Sequence, residues 1–404
     1  MKILMLTPYL PYPPASGGQI RTLNLLKYLS KNHDITLVSL YKNEAEKNYA
    51  SRLETYCNRI FVCKRAEKPW QLSLILRSVF SALPFLIVRN YSSEAHTVIS
   101  RLLNEEKFDV IHAETFYIMP HIPPTNVPTL LVEQTIEFKV YQHFVSALIL
   151  PVRWALSLDI LKLKFWEIFY WKKANLVATV SQADRQIIES HVPGNDTYVI
   201  PNGAGDEMFV KTLPAKKPGP PVLLFVGNFF WLQNTEAAEY LRERIFPKIR
   251  EQFPGATLII AGQNVHSKLQ PGTNDGVKIV DLPADNAEVI KEMYRKATIF
   301  IAPIFGPGGT RLKILAAMAS GLPVVSTKTG IEGLEAENGT HFLIAKEPDE
   351  FVEQVGKLAR DHQLSEKLRK NAFALVTKNY SWSRIAKKLE NLYEVSTRIT
   401  RPKP

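Results

Sequence analysis

The sequence has few cysteines and no long apolar run, and each absence excludes a class of protein. Its 404 residues include only two cysteines, Cys57 and Cys63, which are too few for a disulfide framework and wrongly spaced for a zinc or redox pair. The most apolar stretches, Leu72–Val88 and Phe144–Leu161, are interrupted by prolines and charged residues, whereas a membrane-spanning helix needs about 20 apolar residues. No signal peptide is recognised at the N-terminus. We therefore expect a cytoplasmic protein without a membrane span.

Blocks of basic residues are also missing, although the net charge is +11. Without such a block or an aromatic RNA-binding signature, we expect no nucleic-acid partner. In Ala66–Arg89 and Pro151–Lys173, however, Trp, Phe and Leu alternate with Lys and Arg. This composition is typical of helices that lie in a lipid interface, at the inner face of the cell membrane in this case. An anionic membrane surface is therefore one candidate partner, and ordinary amphipathic helices packed on a core are the alternative.

The patterns that are present predict an α/β protein with two domains. Short apolar runs alternate with helical patterns along nearly the whole chain, which indicates parallel sheets covered on both faces. The proline- and lysine-rich segment Lys211–Pro221 is typical of a linker. We place an N-terminal, acceptor-side domain at 1–205 and a C-terminal, nucleotide-binding domain at 206–380, with the last helix, 381–399, as a candidate to cross back to the first. The predicted strands are Lys2–Thr7, Asp34–Leu40, Arg59–Cys63, Asp109–His112, Thr129–Glu133, Asn175–Val180, Thr197–Ile200, Val222–Gly227, Ala256–Gly262, Val277–Val280, Thr298–Pro303, Pro323–Ser326 and His341–Ile344.

The first candidate binding loop follows the first predicted strand. Gly17 and Gly18 permit close backbone approach of a ligand, and the helix that follows, which carries Arg21 and Lys27, offers free N–H groups to an anion. The loop lacks the three spaced glycines and the acidic residue about 20 positions later that mark a dinucleotide site. A purely structural turn is the alternative interpretation.

The stretch Gly306–Thr327, which reads GPGGTRLKILAAMASGLPVVST, carries the most specific signal. It follows a predicted strand, so its glycines open a strand-to-helix turn with free amides, and Thr310 is a candidate cap. The helix dipole at such a turn favours a phosphate. Lys313 is expected near that anion, and Arg311 reaches it from the flank. Glycines that merely turn the chain are the alternative.

The helix in this stretch is predicted to have one core face and one small-residue face. At about 100° per residue, Leu312, Leu315 and Ala319 fall together and should face the core. The opposite stripe is then formed by Lys313, Ala316, Ala317 and Ser320.

Several segments together resemble one enzyme family. Their order and spacing are similar to those of retaining nucleotide-sugar glycosyltransferases of the GT-B fold, family four. The sequence GGTRLKIL is similar to the corresponding motif of a subgroup associated with bacterial surface-polysaccharide assembly. The resemblance covers nearly all of the chain and is strongest between Asn175 and Gly333. The segments are Asn175–Asp184, Val199–Gly203, Leu224–Gly227, Ala256–Gly262 and Gly306–Thr327.

The resemblance implies two Rossmann-like domains that face each other across a cleft, with a nucleoside diphosphate sugar mostly on the C-terminal domain. It implies transfer of the sugar to a glycan or lipid-linked acceptor with retention of configuration, usually without a metal or other cofactor. The leaving phosphate is thought to help deprotonate the acceptor hydroxyl. The catalytic candidates are Lys313, Arg311, His112 and Glu114. The donor-binding candidates are Gly17, Gly18, Gly227, Asn228, Gly308, Gly309, Thr310 and Ala316.

The chain also departs from the family pattern. The family commonly has two glutamates eight positions apart, which align with Gly308 and Ala316 here, so weaker donor binding is expected. It often has an arginine directly after Gly227, where this chain has Asn228. A family histidine near the reacting sugar aligns with Gln134. Other polar candidates in the same region are His112, Glu114, Glu133 and Glu137, and a buried structural histidine is the alternative for His112.

Two other functions are compatible with these residues. The missing glutamate at 316 and histidine at 134 favour a non-catalytic relative that binds a glycan or nucleotide within a polysaccharide assembly system. Another nucleotide-sugar enzyme, such as an epimerase, would need a buried acid–base pair, for which His112 and Glu114 are candidates.

Overall fold

The structure is a computed structural model. It describes residues 1–68, 70–146, 148–213, 215, 219–269, 276–282, 287–306 and 311–398. The chain divides into two compact units, here called the first and the second unit. The first unit is Met1–Pro201 with Ala386–Pro404, of which 399–404 lie outside the described residues, and the second is Asn202–Ile385.

The first unit is built on a parallel sheet whose strands are short apolar runs, as expected for a sheet covered on both faces. In the first strand, for example, Ile3, Leu4, Met5 and Leu6 are all completely buried. The strands are β1 Lys2–Thr7, β2 Asp34–Tyr41, β3 Arg59–Lys64, β4 Val110–Glu114, β5 Thr129–Glu133, β6 Leu176–Thr179 and β7 Thr197–Val199. They lie in the order β3-β2-β1-β4-β5-β6-β7, and every neighbouring pair is parallel.

Helices connect these strands, and polar caps fix where several of them begin. The side chains of Ser16, Ser92 and Ser181 each accept a hydrogen bond from a backbone N–H in the first turn of the helix that follows, which satisfies one of the free donors there. The α-helices are α1 Gly17–Leu29, α2 Glu44–Lys47, α3 Leu72–Val79, α4 Phe85–Asn90, α5 Ser93–Glu105, α6 Glu137–Ser146, α7 Leu150–Lys173 and α8 Gln182–His191, and short 3₁₀ helices span Asn48–Leu53 and Phe116–His121.

The second unit repeats the arrangement with a smaller sheet. Its strands are β8 Val222–Asn228, β9 Thr257–Gln263, β10 Val277–Asp281, β11 Ile299–Ala302, β12 Val324–Ser326 and β13 Leu343–Ile344, in the order β10-β9-β8-β11-β12-β13. Its helices are α9 Leu232–Tyr240, α10 Phe246–Gln252, α11 Val265–Lys268, α12 Ala287–Lys296, α13 Leu312–Ala319, α14 Lys328–Ile331, α15 Pro348–Arg360 and α16 His362–Asn379, with a 3₁₀ helix at Asp206–Met208. The last helix, α17 Trp382–Arg398, begins in this unit, and the division between the units falls inside it after Ile385.

One irregularity in the second unit has a local cause. A π-helical turn, Leu241–Ile245, joins α9 to α10. Pro247 lies in the first turn of α10 and has no N–H to donate to the preceding turn. A widened turn accommodates the missing hydrogen bond.

Both sheets have the strand order of a doubly wound nucleotide-binding fold, in which the order reverses next to the first strand of each sheet. All thirteen predicted strands are present, with ends that differ by a few residues. Among the helices of the described residues, none has the length and apolar character needed to cross a bilayer. Residues 214 and 216–218 of the predicted linker lie outside the described part of the chain.

Candidate active site

The carboxyl edge of the first sheet brings together residues from the start of α1, the end of β4 and the turn after β5. Gly18 lies in the first turn of α1, Glu114 ends β4, and Gln134 follows β5. Parallel strands end at the same edge, which is where ligands bind in such sheets. Gln134 donates from Nε2 to the hydroxyl of Tyr9 over 2.6 Å. A Cβ on Gly18 would overlap the side-chain ends of Tyr9 and Gln134, so a larger residue there would displace them.

Glu114 is the centre of a buried network beneath this edge. Its Oε2 accepts from Gln134 Nε2 over 2.6 Å, and its Oε1 accepts from His112 Nε2 over 3.1 Å. The guanidinium Nε of Arg21 lies 3.8 Å from Oε1, and the Arg21 and Glu114 side chains are completely buried. Because a buried carboxylate is stable only when paired and hydrogen-bonded, these three partners account for its position.

The electrostatics of Glu114 reflect these partners. Burial alone would raise the pKa of the Glu114 carboxyl, but the hydrogen bond and charge of His112, the charge of Arg21 and the Gln134 hydrogen bond outweigh it and hold the pKa below its usual value. Burial raises the pKa of the Tyr9 and Tyr393 hydroxyls, as does the nearby Glu114 charge. Both tyrosine hydroxyls therefore keep their protons.

The structure places His112 and Glu114 together but away from solvent. Both are completely buried, and the Tyr393 hydroxyl donates to His112 Nδ1. The groups that reach the surface at this edge are Tyr9, Gln134 and Gly18, each of which is partly exposed. In the described conformation His112 and Glu114 support these groups from below, and their direct part in catalysis stays a prediction.

Sequence reasoning missed three members of this network. Tyr9 lies two residues after β1, and its position beside the Gly17–Gly18 turn was a usable signal. Arg21 was noted only as a cation on α1, whereas its Nη1 donates to the carbonyls of Ile200 and Pro201, each over 3.0 Å. Tyr393 comes from α17, far along the chain, and no local pattern indicates its contact.

In the second unit, β8 and β9 approach closely at their carboxyl ends. Gly262 has a φ of +153°, and a Cβ there would overlap the carbonyl oxygen of Gly227. Asn228 donates from Nδ2 to Gln263 Oε1 over 2.9 Å, and its carbonyl accepts from Asn234 Nδ2 over 2.7 Å. The predicted donor residues Gly227 and Asn228 thus lie at this edge, with the Asn228 side chain oriented by its neighbours.

Lys313 lies at the same edge. Its Nζ donates to Asn234 Oδ1 over 2.6 Å and lies 4.6 Å from the ring centroid of Phe225. Burial, and then the positive charge of Arg311, lower the pKa of the Lys313 ammonium well below its usual value. Arg311 donates from Nη2 to the carbonyl of Gly306 over 2.6 Å. Within the described residues, the contacts of Lys313 are therefore with neutral groups and its nearest charge is of the same sign.

The faces of α13 differ in part from the prediction. Leu315 and Ala319 are completely buried, and Lys313 and Ala316 are partly exposed. The prediction was wrong for Ala317 and Ser320, which are buried, and for Leu312, which is partly exposed. The helix packs on the sheet on one side and on α16 on another, so its core face is wider than a single stripe. Gly308, Gly309 and Thr310 lie outside the described residues.

Comparison with known families decides the identity of both halves of the chain. Residues 15–207 match the model described as glycosyltransferase family 4, and residues 220–361 match the model described as glycosyl transferases group 1. The chain belongs to the glycosyltransferases of the GT-B fold.

Several individual relatives of this glycosyltransferase are distant but cover nearly its whole length. One relative is an uncharacterized 44.6 kDa protein in the cps region of Klebsiella pneumoniae. It is 22% identical to this chain, and the alignment covers 95% of this chain and 97% of the relative. The fold is similar to that of sucrose-phosphate synthase from Thermosynechococcus elongatus, with a TM-score of 0.71, 15% identity and 98% coverage of both chains. Anabaena HepE in complex with UDP and glucose has a TM-score of 0.65 and 16% identity, with 98% of this chain and 100% of that chain covered.

The first unit of the glycosyltransferase also holds a second, acidic cluster. Glu133 accepts from Trp171 Nε1 over 2.9 Å. Glu167 accepts from the backbone N–H of Glu137 over 2.8 Å and of Phe138 over 3.0 Å, so it caps the start of α6. Burial raises the pKa of Glu137 to about 7. Burial, and then the proximity of the other acidic groups, also raises the pKa values of Glu133 and Glu167.

We expect the free energy of unfolding of the first unit to fall as the pH rises from 5 to 8. A carboxyl whose pKa is raised by folding keeps its proton in the native state above the pH at which the unfolded chain releases it. The stabilising contribution of such a carboxyl is fully present below its pKa in the unfolded chain, about 4.5. Above that pH, the free energy of unfolding falls by about 1.4 kcal/mol per pH unit for each such group until the pH passes the pKa of the group in the folded state. For Glu137 that point is about pH 7. The Glu114 carboxyl, whose pKa is lowered by folding, changes the free energy of unfolding with pH only below about pH 4.5. Urea unfolding at each pH measures the slope.

The variant Glu133→Gln tests the origin of this slope. Glutamine keeps an acceptor for Trp171 but does not titrate, so the variant should be more stable than the parent at pH 8 and depend less on pH. Glu105→Gln, at an exposed position of α5, is the matched control and should keep the parental slope. Equal slopes in parent and Glu133→Gln would show that this carboxyl is not the source.

Proposed function

We propose that this glycosyltransferase moves a sugar from a nucleoside diphosphate sugar to a glycan or lipid-linked acceptor, with retention of configuration, in the synthesis of a bacterial surface polysaccharide. The observation that carries the proposal is the pair of cations, Lys313 and Arg311, beside the closely packed carboxyl ends of β8 and β9.

The charge balance at this edge favours an anionic ligand. Lys313 is held against neutral groups and beside a like charge, so its charged form is destabilised in the free protein. A diphosphate placed there would supply the missing opposite charge and stabilise the ammonium. The gain is large because the site is partly shielded from water.

The comparisons support the ligand class and the pathway. HepE, a protein of similar fold, is known in complex with UDP and glucose. The Klebsiella relative is encoded in a cps region, which supports a role in polysaccharide synthesis.

The proposed reaction is a substitution at the anomeric carbon of the donor. The bond from that carbon to the β-phosphate oxygen breaks, and a bond to the acceptor oxygen forms on the same face of the sugar. The acceptor proton passes to the departing diphosphate, which carries the electron pair away. Lys313 and Arg311 stabilise the charge that develops on the diphosphate, and we expect no metal to be needed.

Transfer to extracted acceptors tests the proposal. Purified protein is incubated with a panel of UDP-, GDP- and TDP-sugars carrying a radiolabel in the sugar, together with bacterial lipid extract and EDTA. We expect label in the lipid or glycan fraction for one donor, and NMR of that product should show the anomeric configuration of the donor. Inversion of configuration, or activity only when a divalent metal replaces EDTA, would refute the corresponding part of the proposal.

A non-catalytic binding protein is the second candidate, and two residues favour it. Ala316 offers no carboxylate on the partly exposed side of α13, and Gln134 donates to Tyr9 and Glu114 where the family has a histidine. If the protein binds a sugar nucleotide but yields no product with any donor of the panel, this second function replaces the first.

A further inference from the structure

Helix α7 is apolar on two opposite faces. Its core side is formed by Ile160, Leu163, Tyr170 and Trp171, which are buried. On the other side, large apolar residues recur every three or four positions and are exposed to solvent, with Trp154 75% exposed. At about 100° per residue this set lies within an arc of about 100°. Its members are Leu150, Trp154, Leu158, Leu161, Phe165 and Phe169.

Helix α3 has an exposed apolar face of the same kind. Leu72, Leu76, Val79 and Phe80 follow helical spacing along one side, and Phe80 is 84% exposed. Trp70, which precedes the helix, is 66% exposed. We call these residues together with the exposed set on α7 the apolar face.

Side-chain hydrogen bonds hold the end of α3 and the turn after it against α7. Ser78 Oγ donates to Asp159 Oδ1 over 3.0 Å, and Lys162 Nζ donates back to the carbonyl of Ser78 over 2.8 Å. Trp166 Nε1 donates to the carbonyl of Ala82 over 2.9 Å. The two helices therefore present the apolar face from one connected part of the first unit.

Within residues 70–90 and 148–173 the exposed charged side chains are all positive, and the exposed acidic residue Glu67 lies three positions before Trp70. Residues 70–90 and 148–173 contain two acidic residues, Asp159 and Glu167, and both point inward. Asp159 also accepts from the backbone N–H of Phe85 over 2.9 Å, and Glu167 is completely buried at the start of α6. The exposed charged side chains of these segments are Arg77, Arg153, Lys172 and Lys173.

We propose that the apolar face docks the protein on an anionic lipid bilayer, with α3 and α7 lying in the plane of the interface. Trp and Phe beside Lys and Arg are the residues that favour the boundary between head groups and acyl chains. An exposed apolar set of this size costs solvation free energy in water, and burial among lipids removes that cost. The surrounding cations are attracted to acidic head groups. Lipid binding of this kind needs neither donor nor acceptor, so its test is independent of the proposed transfer reaction.

Vesicle flotation of the full-length protein tests the docking. With vesicles of phosphatidylcholine and phosphatidylglycerol we expect most of the protein to float. The triple variant Phe80→Ser, Trp154→Ser, Phe165→Ser should lower the partition coefficient by roughly 100-fold, because each lost side chain contributes about a factor of ten or less at an interface. Phe230→Ser, which changes an aromatic residue of the second unit that is 71% exposed, is the control and should float like the parent. Thermal unfolding checks that both variants fold.

A second set of variants tests the charge. Arg153→Gln, Lys172→Gln and Lys173→Gln combined should weaken binding about ten-fold or more at low salt. The control combines Lys346→Gln, Lys370→Gln and Lys378→Gln, which remove the same charge from exposed positions of the second unit, and should bind like the parent. Equal binding of the parent to vesicles of phosphatidylcholine alone would overturn the role of anionic lipid.

Two results would overturn the docking itself. One is a parent protein that stays at the bottom of the gradient while its tryptophan fluorescence is unquenched by brominated lipids in the same vesicles. The other is a protein that does not float but sediments as a dimer that the triple variant breaks into monomers, since the apolar face would then be an interface between two copies.

Discussion

Replacing Lys313 with alanine is expected to lower turnover by about 100- to 1000-fold. The change removes a cation from the place where we propose that diphosphate charge develops, and loss of one preformed donor to a developing anion typically has this effect. It corresponds to about 3–4 kcal/mol of transition-state stabilisation. Steady-state kinetics with the donor identified in the panel measure it.

Two companion variants separate charge from fold in that experiment. Lys313→Arg keeps the positive charge but not the fit against Asn234 and Phe225, so an intermediate loss is expected. Lys296→Ala removes an exposed lysine of α12 whose contact is a surface ion pair with Glu292, and it should retain parental turnover. Full activity of Lys313→Ala, with unchanged thermal unfolding, would refute the role we assign to Lys313.

Replacing Arg21 with methionine is expected to destabilise the first unit by about 3–5 kcal/mol. The methionine fits the apolar surroundings but leaves the Glu114 carboxylate without its buried counter-charge, which is a costly change. The carbonyls of Ile200 and Pro201 also lose their donor, and an unsatisfied buried acceptor costs about 1–3 kcal/mol. Amide hydrogen exchange in β1 and β4 reports the stability of this unit separately from the rest of the chain.

A double-mutant cycle identifies the source of that loss. If Arg21 and Glu114 stabilise each other, the variant Arg21→Met, Glu114→Gln should be less destabilised than the sum of the two single changes, by about 1 kcal/mol or more. Arg185→Met, in an exposed ion pair with Glu189, should cost less than about 1 kcal/mol. Additive single effects would mean that the two side chains do not interact.

The strands could be predicted from the sequence because burial on both faces requires a short run of apolar residues, which is visible locally. A strand of a covered parallel sheet is apolar along most of its length, so runs such as Lys2–Thr7 and Thr129–Glu133 can be recognised from their own residues alone. Their alternation with helices then restricts the topology to a few doubly wound orders. The structure has this order in both units.

The candidate site was predictable in its position but not in its contacts. Lys313 was found because its glycine-rich turn and helix form a local pattern. The relation of His112 to Tyr393 joins residues that are far apart in the chain, and no spacing predicts it. The burial of His112 and Glu114 could not be predicted either. Polar residues at the end of β4 are compatible both with an exposed catalytic pair and with a buried hydrogen-bond network.

The apolar segments near 66–89 and 151–173 show where sequence information ends. Composition by itself determined that these segments must bury apolar surface against something, because the cost of hydrating Trp, Phe and Leu does not depend on the fold. Only the tertiary structure decided that one side of α7 is covered by the first unit and the opposite side is left open. That outcome depends on which neighbours fold against the helix, and the helix sequence, being apolar on both sides, does not distinguish between them.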